Sequence, residues 1–267
     1  MEYKLGFIGC GNMAVAMIGG IIKSGLLKPE EIIASDVSEA SAIKVQEDLG
    51  IKVTKSNVEV AVSCEILILS VKPQYYETVI CEVAAKVSEE TVIVTIAPGI
   101  TTKKLNGMFG KDVKLIRTMP NTPALVGEGM TGMCKNHFVS NEEMDYVCSL
   151  FSGFGKTQIV DEKVMDAVVA VSGSSPAYIF ILIEAMADAA VSGGMARSQA
   201  YTFAAQAVAG SAKMLLETGR HPGELKDMVC SPGGTTIEAV RVLEQQGFRS
   251  SVIEAMKACM KKSSEFS

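Results

Sequence analysis

The chain has 267 residues, of which 48% are hydrophobic and 21% are charged, and its formal net charge is −5 at pH 7. This length allows one large domain or two modest ones, and the apolar content excludes a disordered chain. The mildly acidic balance, without a run of Lys and Arg, gives no basic surface for a nucleic-acid partner.

Cysteine and histidine usage limits the chemistry further. The seven cysteines are scattered without a C-x-x-C pair, and His137 and His221 are the two histidines. This predicts reduced thiols and no metal site. The N-terminus has no basic region before a long apolar segment, and the apolar stretch 177–190 is interrupted by Glu184 and Asp188. We therefore predict a cytoplasmic protein without a signal peptide or membrane contact.

The first 160 residues alternate short apolar runs with helical patterns, as in a doubly wound Rossmann-type α/β sheet. Runs such as ILILSV and TVIVTIA are typical of central parallel strands covered on both faces. Helices are predicted over 12–24, over 38–49 and after Pro73. Strands are predicted over 3–8, 32–35, 52–54, 65–71, 91–96, 113–117, 129–134 and 157–160.

Residues 161–267 are predicted to form a second, all-helical domain that binds substrate and dimerises. Between Val164 and Glu217 charged residues are sparse, so the helices are apolar around most of their circumference. Such helices must be buried, and a domain of this size has little interior to hide them. A second subunit is the predicted cover, and a self-sufficient bundle is the alternative.

The first strand runs directly into Gly9-Cys10-Gly11-Asn12-Met13-Ala14, which fits G-x-G-x-x-A between a strand and a helix. The first glycine allows a tight turn, the second lets a pyrophosphate approach, and the small third residue lets the helix pack on the strand. The phosphates then lie on the free N–H groups of the helix N-terminus. The motif predicts a dinucleotide site, with tight turns alone as the alternative.

Asp36 ends the second strand, where an acidic side chain accepts hydrogen bonds from an adenosine ribose. A carboxylate there repels a 2′-phosphate, and Val37 and Ser38 follow it instead of an Arg, which favours NADH. The alternative is that Asp36 only starts a turn or caps the next helix.

Three loops lie where ligands of an open α/β sheet bind. Residues 71–73 and 97–99 follow the fourth and fifth strands, and each either lines the nicotinamide half of the cleft or is a plain turn. Residues 119–123, with two prolines, predict a rigid and non-helical edge facing the same cleft.

Two interruptions mark the helical half. In the segment 172–178, Ser174 or Ser175 either caps a helix or contacts substrate. In the segment 231–238, Thr235 and Glu238 have the spacing of a capping box, which starts a helix.

The Gly233-Gly234 pair before that helix exposes successive N–H groups, a small anion site suited to a carboxylate. Thr236 is then the hydroxyl placed to reach the nitrogen of a C=N bond next to the carboxylated carbon.

These segments together resemble one known family. The segments GFIGCGNM, SVKP, APG, MPNTP, SGSSPAY and HPGELKDMVCSPGGTTIEAVRVLEQQGFRS are similar to those of pyrroline-5-carboxylate reductase, from about residue 4 to about residue 260. Two departures stand out. Ser175 replaces a glycine that is usual in the family, and Asp36-Val37 stands where many relatives have Asn-Arg, which bears on their preference for NADPH.

The resemblance implies reduction of 1-pyrroline-5-carboxylate to L-proline with NADPH or NADH, by intertwined dimers that often assemble into decamers. It implies that the substrate carboxylate lies on the SPGGTT backbone and that Thr236 is the catalytic residue bonding the ring nitrogen. The predicted substrate contacts are Ser174, Ser175, Gly233, Gly234, Thr235 and Thr236. The predicted cofactor contacts are Gly9, Gly11, Asn12, Met13, Ser35, Asp36, Asn57, Val71, Lys72, Pro73, Ala97, Gly99 and Asn121.

Two other functions compete with this interpretation. A dehydrogenase of the 3-hydroxyisobutyrate type shares the first motif, but it relies on a lysine early in the second domain, and residues 164–195 contain none. A dinucleotide-sensing regulator would not need the second anion site at SPGGTT.

Overall fold

A computed structural model describes residues 1–265. It divides into two compact units. The first comprises Met1–Ser174 together with the C-terminal residues from Cys259, and the second comprises Ser175–Ala258. The first unit thus extends beyond the boundary predicted between residues 160 and 161, and that boundary stays a prediction about the functional domains.

The first unit contains an eight-stranded sheet in the order β3-β2-β1-β4-β5-β6-β7-β8. Neighbouring strands are parallel except β6 and β7, which are antiparallel. The predicted doubly wound sheet is therefore confirmed, with its last two strands reversed. The strands are β1 Tyr3–Ile8, β2 Ile32–Ser35, β3 Lys52–Thr54, β4 Cys64–Leu69, β5 Val92–Thr95, β6 Lys114–Met119, β7 Gly129–Lys135 and β8 Gly155–Ile159.

Six helices cover the two faces of this sheet: α1 Asn12–Lys23, α2 Glu39–Leu49, α3 Asn57–Ser63, α4 Tyr76–Val83, α5 Thr102–Phe109 and α6 Asn141–Phe151. Alternate strand residues enter two separate apolar cores. Ile66 and Ile68 of β4 join the core with α1, α2 and α6, whereas Leu67 and Leu69 join the core with α3, α4 and α5. Burial on both faces explains the continuous apolar run of this strand.

The segment after β6 differs from its prediction. Residues Thr122–Val126 form a short 3-10 helix that contains Pro123, so the expectation of a wholly non-helical edge over 119–123 was wrong. Pro123 is compatible with the first turn of a helix because its N–H would have no acceptor there.

A helical segment closes the first unit before Ser174. The short helix α7 spans Met165–Val168, and a π-helix follows over Val169–Gly173. Single turns of π-helix are frequent at functional sites.

The second unit is helical, as predicted, with α8 Ser175–Ser192, α9 Arg197–Thr218, α10 Pro222–Val229, α11 Thr235–Gln245 and the greater part of α12 Phe248–Ser264. Within residues 175–258, all of them described, the buried side chains are Ala187, Ala200 and Ala204. Large apolar side chains such as Phe180, Phe203 and Leu216 are 65–68% exposed. This unit has the unburied apolar surface that marks an interaction face.

The continuous helical stretch Glu162–Ser192 is long and apolar enough to cross a membrane by length and composition alone, with a mean hydropathy of 1.6. From the sequence, the apolar stretch 177–190 alone is predicted to be too short to span a membrane. The same property is expected of a helix that packs on a second subunit, and one such helix is weak evidence for a membrane.

Candidate active site

The glycine-rich loop joins β1 to α1 with the geometry that its motif predicts. Gly9 has φ +104°, and a Cβ there would lie 2.7 Å from the carbonyl oxygen of Ser70, so this position requires glycine. A Cβ added at Gly11 would meet nothing within 4 Å, so no protein atom explains that glycine. Ala14 is buried where α1 packs on the sheet. The open space at Gly11 is what a pyrophosphate would fill.

The first turn of α1 is available to an anion. Gly11 is its N-cap and makes no side-chain capping bond. The N–H groups of Asn12, Met13 and Ala14 have no acceptor within the helix. The loop lies between β1 and β4, the neighbouring strands at which the order of the sheet reverses, and ligands of open α/β sheets bind at that point. These residues fit the phosphates of a dinucleotide.

Asp36 is tied to this loop by hydrogen bonds. Its Oδ2 accepts the N–H of Cys10 at 2.7 Å, and its Oδ1 accepts the N–H of Ser38 at 2.7 Å. The carboxylate therefore braces the glycine-rich loop and also starts the turn into α2, whose cap is Ser38. Burial, with a smaller effect of the Asp36 charge, raises the pKa of the Cys10 thiol to about 12.

Ser35 and Asn57 form a polar chain beside Asp36. The Ser35 hydroxyl donates to Oδ1 of Asn57 at 2.8 Å, and Nδ2 of Asn57 donates to Glu82 at 2.8 Å. Ser35 is fully buried and Asn57 half-buried, so Asn57 presents the more accessible group. Ser35 at the carboxyl end of β2 and Asn57 at the start of α3, both predicted cofactor contacts, thus lie next to each other.

The loops after β4 and β5 both have defined conformations. Lys72 is exposed and precedes a 3-10 turn over Pro73–Tyr75. The N–H of Ala97 donates to the Thr95 hydroxyl at 3.2 Å, and Gly99 has φ +75°, a conformation that favours glycine. Both loops lie at the carboxyl edge of the sheet, together with the glycine-rich loop.

Ser174 lies between the π-helix and α8. Its φ of −98° and ψ of −24° are helical, and its N–H donates to the carbonyl of Val169 at 2.8 Å. An N-cap residue has extended angles, so the suggestion that Ser174 caps α8 was wrong; Ser175 is the first residue of α8 itself. The Ser174 hydroxyl accepts a hydrogen bond from the thiol of Cys259 at 3.3 Å.

The N-terminus of α11 also differs from its prediction. Its N-cap is Gly234, which has no side-chain capping bond, so the capping box of Thr235 and Glu238 was wrong. Glu238 instead pairs with Arg241 at 2.7 Å, and this bond lowers the pKa of its carboxyl. Thr235 is exposed and Thr236 is half-buried.

The glycine pair before α11 belongs to a turn. Gly233 has φ +68° after Pro232, and the N–H of Gly234 donates to the Ser231 carbonyl at 3.0 Å, as in a type II turn. The Gly234 donor is therefore used within the protein. The N–H groups of Thr235, Thr236 and Ile237, in the first helical turn, are the ones without a helical acceptor. They can hold a carboxylate.

The charged residues on α8 have a local explanation. Asp188 pairs with Arg197 at the start of α9, whereas Glu184 is exposed. Within residues 1–265, no group of three or more His, Cys, Asp or Glu side chains is arranged to hold a metal ion.

Two family models match the chain. Residues 162–266 match the model described as pyrroline-5-carboxylate reductase dimerisation. Residues 4–99 match the one described as NADP oxidoreductase, coenzyme F420-dependent. Residues 162–266, which include the whole second unit with its exposed apolar surface, therefore correspond to a dimerisation domain, and residues 4–99 of the first unit correspond to an NADP oxidoreductase domain.

Individual relatives match over the whole chain. The pyrroline-5-carboxylate reductase of Escherichia coli (strain K12) is 52% identical over 267 residues, which cover 100% of this chain and 99% of the relative. The crystal structure of Plasmodium falciparum pyrroline carboxylate reductase with NADP bound has a TM-score of 0.91 at 32% identity, covering 100% and 99% of the two chains. A pyrroline-5-carboxylate reductase from Coxiella burnetii has a TM-score of 0.92 at 33% identity, with the same coverage.

A sequence identity of 52% along the full length shows to which family this chain belongs. The chain belongs to the pyrroline-5-carboxylate reductase family and is an NAD(P)-dependent oxidoreductase.

Proposed function

We propose that this enzyme reduces 1-pyrroline-5-carboxylate to L-proline, using a hydride from a reduced nicotinamide cofactor. The observation that carries the proposal is a pair of uncapped helix N-termini, one in each unit. That of α1 follows a glycine with open space at its Cβ, and that of α11 begins with free N–H groups beside a threonine hydroxyl. Membership of the reductase family decides against the hydroxyisobutyrate-type dehydrogenase and the sensor.

The first unit would hold the cofactor. Gly9, Gly11, Asn12 and Met13 would surround the pyrophosphate, with its charge on the N–H groups of α1. Ser35, Asp36 and Asn57 would contact the adenosine ribose. The nicotinamide half would lie along Val71, Lys72, Pro73, Ala97 and Gly99. The amide of Asn121, also predicted as a contact, is bonded at both ends to backbone groups of the protein. When bound, the cofactor supplies the hydride for the imine carbon.

We further propose that the enzyme prefers NADH. The Asp36 carboxylate is fixed by two backbone N–H groups at the end of β2, beside the position proposed for the ribose. A 2′-phosphate next to it would be repelled. No arginine or lysine occupies the two positions after Asp36 to offset this repulsion. The crystal structure of the relative from Plasmodium falciparum has NADP bound.

The second unit would hold the substrate carboxylate on the N–H groups of Thr235 and Thr236, with the turn at Gly233 and Gly234 shaping the approach. The Thr236 hydroxyl would hydrogen-bond the ring nitrogen, which becomes an amine as the imine carbon is reduced. Ser174 and Ser175 would contact the ring from the other predicted segment. The protein's tasks are orientation and supply of a proton.

The active form is proposed to be a cytoplasmic homodimer joined through the helical unit, with a decamer as the larger assembly. The exposed faces of α8 and α9, which carry Phe180 and Phe203, are the proposed contact surface. The dimerisation model over residues 162–266 supports this choice.

The test is a spectrophotometric assay of NADH and NADPH oxidation by the purified protein with 1-pyrroline-5-carboxylate. The proposal requires substrate-dependent oxidation and formation of proline, with a higher kcat/KM for NADH. Reduction of NAD+ or NADP+ by a 3-hydroxyisobutyrate-type substrate without activity on 1-pyrroline-5-carboxylate, or cofactor binding without turnover, would contradict it.

A further inference from the structure

The side chain of Asn121 joins two separate parts of the first unit. Asn121 follows β6 and is 8% exposed. Its Nδ2 donates to the carbonyl of Ser172 at 3.0 Å, and its Oδ1 accepts the N–H of Met130 at 2.9 Å. Both ends of the amide are therefore occupied by backbone groups 51 and 9 residues away along the chain.

The Ser172 carbonyl needs a donor from outside its own helix. The residue four positions later, whose N–H would bond this carbonyl in an α-helix, is Pro176, which has no N–H. Ser172 also lies in the π-helix Val169–Gly173, where the regular ladder is already changed. The amide of Asn121 supplies a donor to this part-buried carbonyl in place of the missing N–H.

A second contact reinforces the connection. A Cβ added to Gly173 would lie 2.5 Å from the terminal methyl carbon of Met119 at the end of β6. The two segments therefore also approach closely next to this bond. The segment before Ser174 is therefore fixed against the carboxyl end of β6. The loop after β6 is the one predicted to line the nicotinamide.

We infer that Asn121 is a positioning residue for the reduction: its amide sets the distance between the Ser172–Ser174 segment and the loop after β6. The inference rests on the proposed function, because it assigns Ser174 to substrate and the loop after β6 to the cofactor. In this proposal Asn121 binds neither the substrate nor the cofactor but aligns the two with each other. Small misalignments of this kind lower the rate of the reaction.

The chain offers a matched control in Asn136. Its Nδ2 donates to the carbonyl of Val113 at 2.8 Å, and its Oδ1 accepts the N–H of Leu115 at 3.1 Å. The two asparagines make the same pair of backbone bonds, but Asn136 ties the start of β6 to the end of β7, away from the carboxyl-edge loops. A loss of stability alone should affect both positions alike.

The test compares Asn121→Asp, which loses the donor, and Asn121→Ser, which loses both bonds, with Asn136→Asp and Asn136→Ser. We expect the Asn121 variants to lower kcat by about tenfold to a hundredfold while the Kd for NADH changes less than about twofold. The Asn136 variants should keep kcat within about twofold at a similar change in Tm. Hydrogen exchange of residues 168–174 should become faster in the Asn121 variants alone.

Three outcomes would overturn the inference. A rise in the Kd for NADH that accounts for the loss of rate would make Asn121 a cofactor contact. Equal loss of kcat at Asn121 and Asn136 would make its role one of stability. Unchanged exchange of residues 168–174 would refute the connection itself. A wild-type enzyme inactive on 1-pyrroline-5-carboxylate would refute the proposed function, and the exchange measurement would still decide the connection.

Discussion

The carboxylate of Asp36 is proposed to have two functions, and a substitution at this position removes both. It accepts the N–H of Cys10 in the glycine-rich loop, and it is the charge proposed to exclude a 2′-phosphate. Replacing it removes the repulsion of NADPH and also releases the loop that holds the pyrophosphate of either cofactor. Selectivity and affinity should therefore change separately.

We predict that Asp36→Ser raises the ratio of kcat/KM for NADPH to that for NADH by about tenfold, the effect of removing one nearby like charge. The Kd of both cofactors should rise because Cys10 N–H loses its acceptor. Titration with each cofactor measures both effects, and Asp48→Ser, an exposed carboxylate on α2, is the control. An unchanged ratio would leave Asp36 as a turn and loop residue only.

Thr236 is the residue on which the proposed chemistry depends. Thr236→Ala should lower kcat by about ten- to a thousandfold with the Kd for cofactor nearly constant, because one positioned hydrogen-bonding group contributes that order of rate. Thr236→Ser keeps the hydroxyl and should recover much of the loss. Thr218→Ala, at the exposed end of α9, serves as the control. Wild-type kcat in the alanine variant would mean that the proton comes from solvent.

At the scale of elements, the sequence predicted well where one local signal decides the structure. The strand Tyr3–Ile8 and the helix after Gly11 follow from an apolar run ending in a glycine motif. The start of α11 was misjudged because Thr235 and Glu238 match a capping box by spacing alone. The type II turn and the Glu238–Arg241 pair give that helix a glycine N-cap.

Long-range contacts could not be read from the sequence. The bond from Cys10 to Asp36 and the one from Asn121 to Ser172 join residues 26 and 51 positions apart. The helices α3, α5 and α6 were also missed. For α6 a local signal was present, the capping box of Ser140 and Glu143. The helix α5 is short, and its apolar positions, including Leu105 and Phe109, are few. Such elements are defined by tertiary packing more than by their own periodicity.

Arg117 of β6 lies close to two carboxylates of the first unit, those of Glu162 and Asp166. Its side chain is buried in β6 and lies 3.4 Å from Glu162, which also accepts bonds from Thr102 at the start of α5. Its second nitrogen lies 3.9 Å from Asp166, which accepts a hydrogen bond from Ser263 of α12 at 2.7 Å. Arg117 therefore pairs with two carboxylates that in turn bond α5 and α12, although its Nη2 makes no hydrogen bond within residues 1–265.

We predict that Arg117→Met lowers the free energy of unfolding by about 1.5–3 kcal/mol, the value for hydrogen bonds to charged groups. Lys4→Met, which breaks the exposed pair with Glu65, should cost less than about 1 kcal/mol. Urea denaturation measures both variants. Equal losses for the two would show that the buried network contributes no more than a surface pair.

At the scale of the whole molecule, the exposed apolar side chains of the second unit require a partner surface. We predict a mass in light scattering of at least twice the 28.3 kDa of one chain at micromolar concentration. Phe203→Glu should weaken that assembly, because it places a charge on the apolar face of α9, whereas Ile43→Glu on α2 should not. A stable, folded wild-type monomer would contradict the prediction.

We propose above that this molecule transfers a hydride to the imine carbon of 1-pyrroline-5-carboxylate. The most direct measurement uses NADH or NADPH carrying deuterium at the transferable C4 position, with mass spectrometry of the product. The account predicts proline with one deuterium on the ring carbon that was doubly bonded to nitrogen, formed in step with cofactor oxidation. Unlabelled proline, or cofactor oxidation without proline, would contradict it.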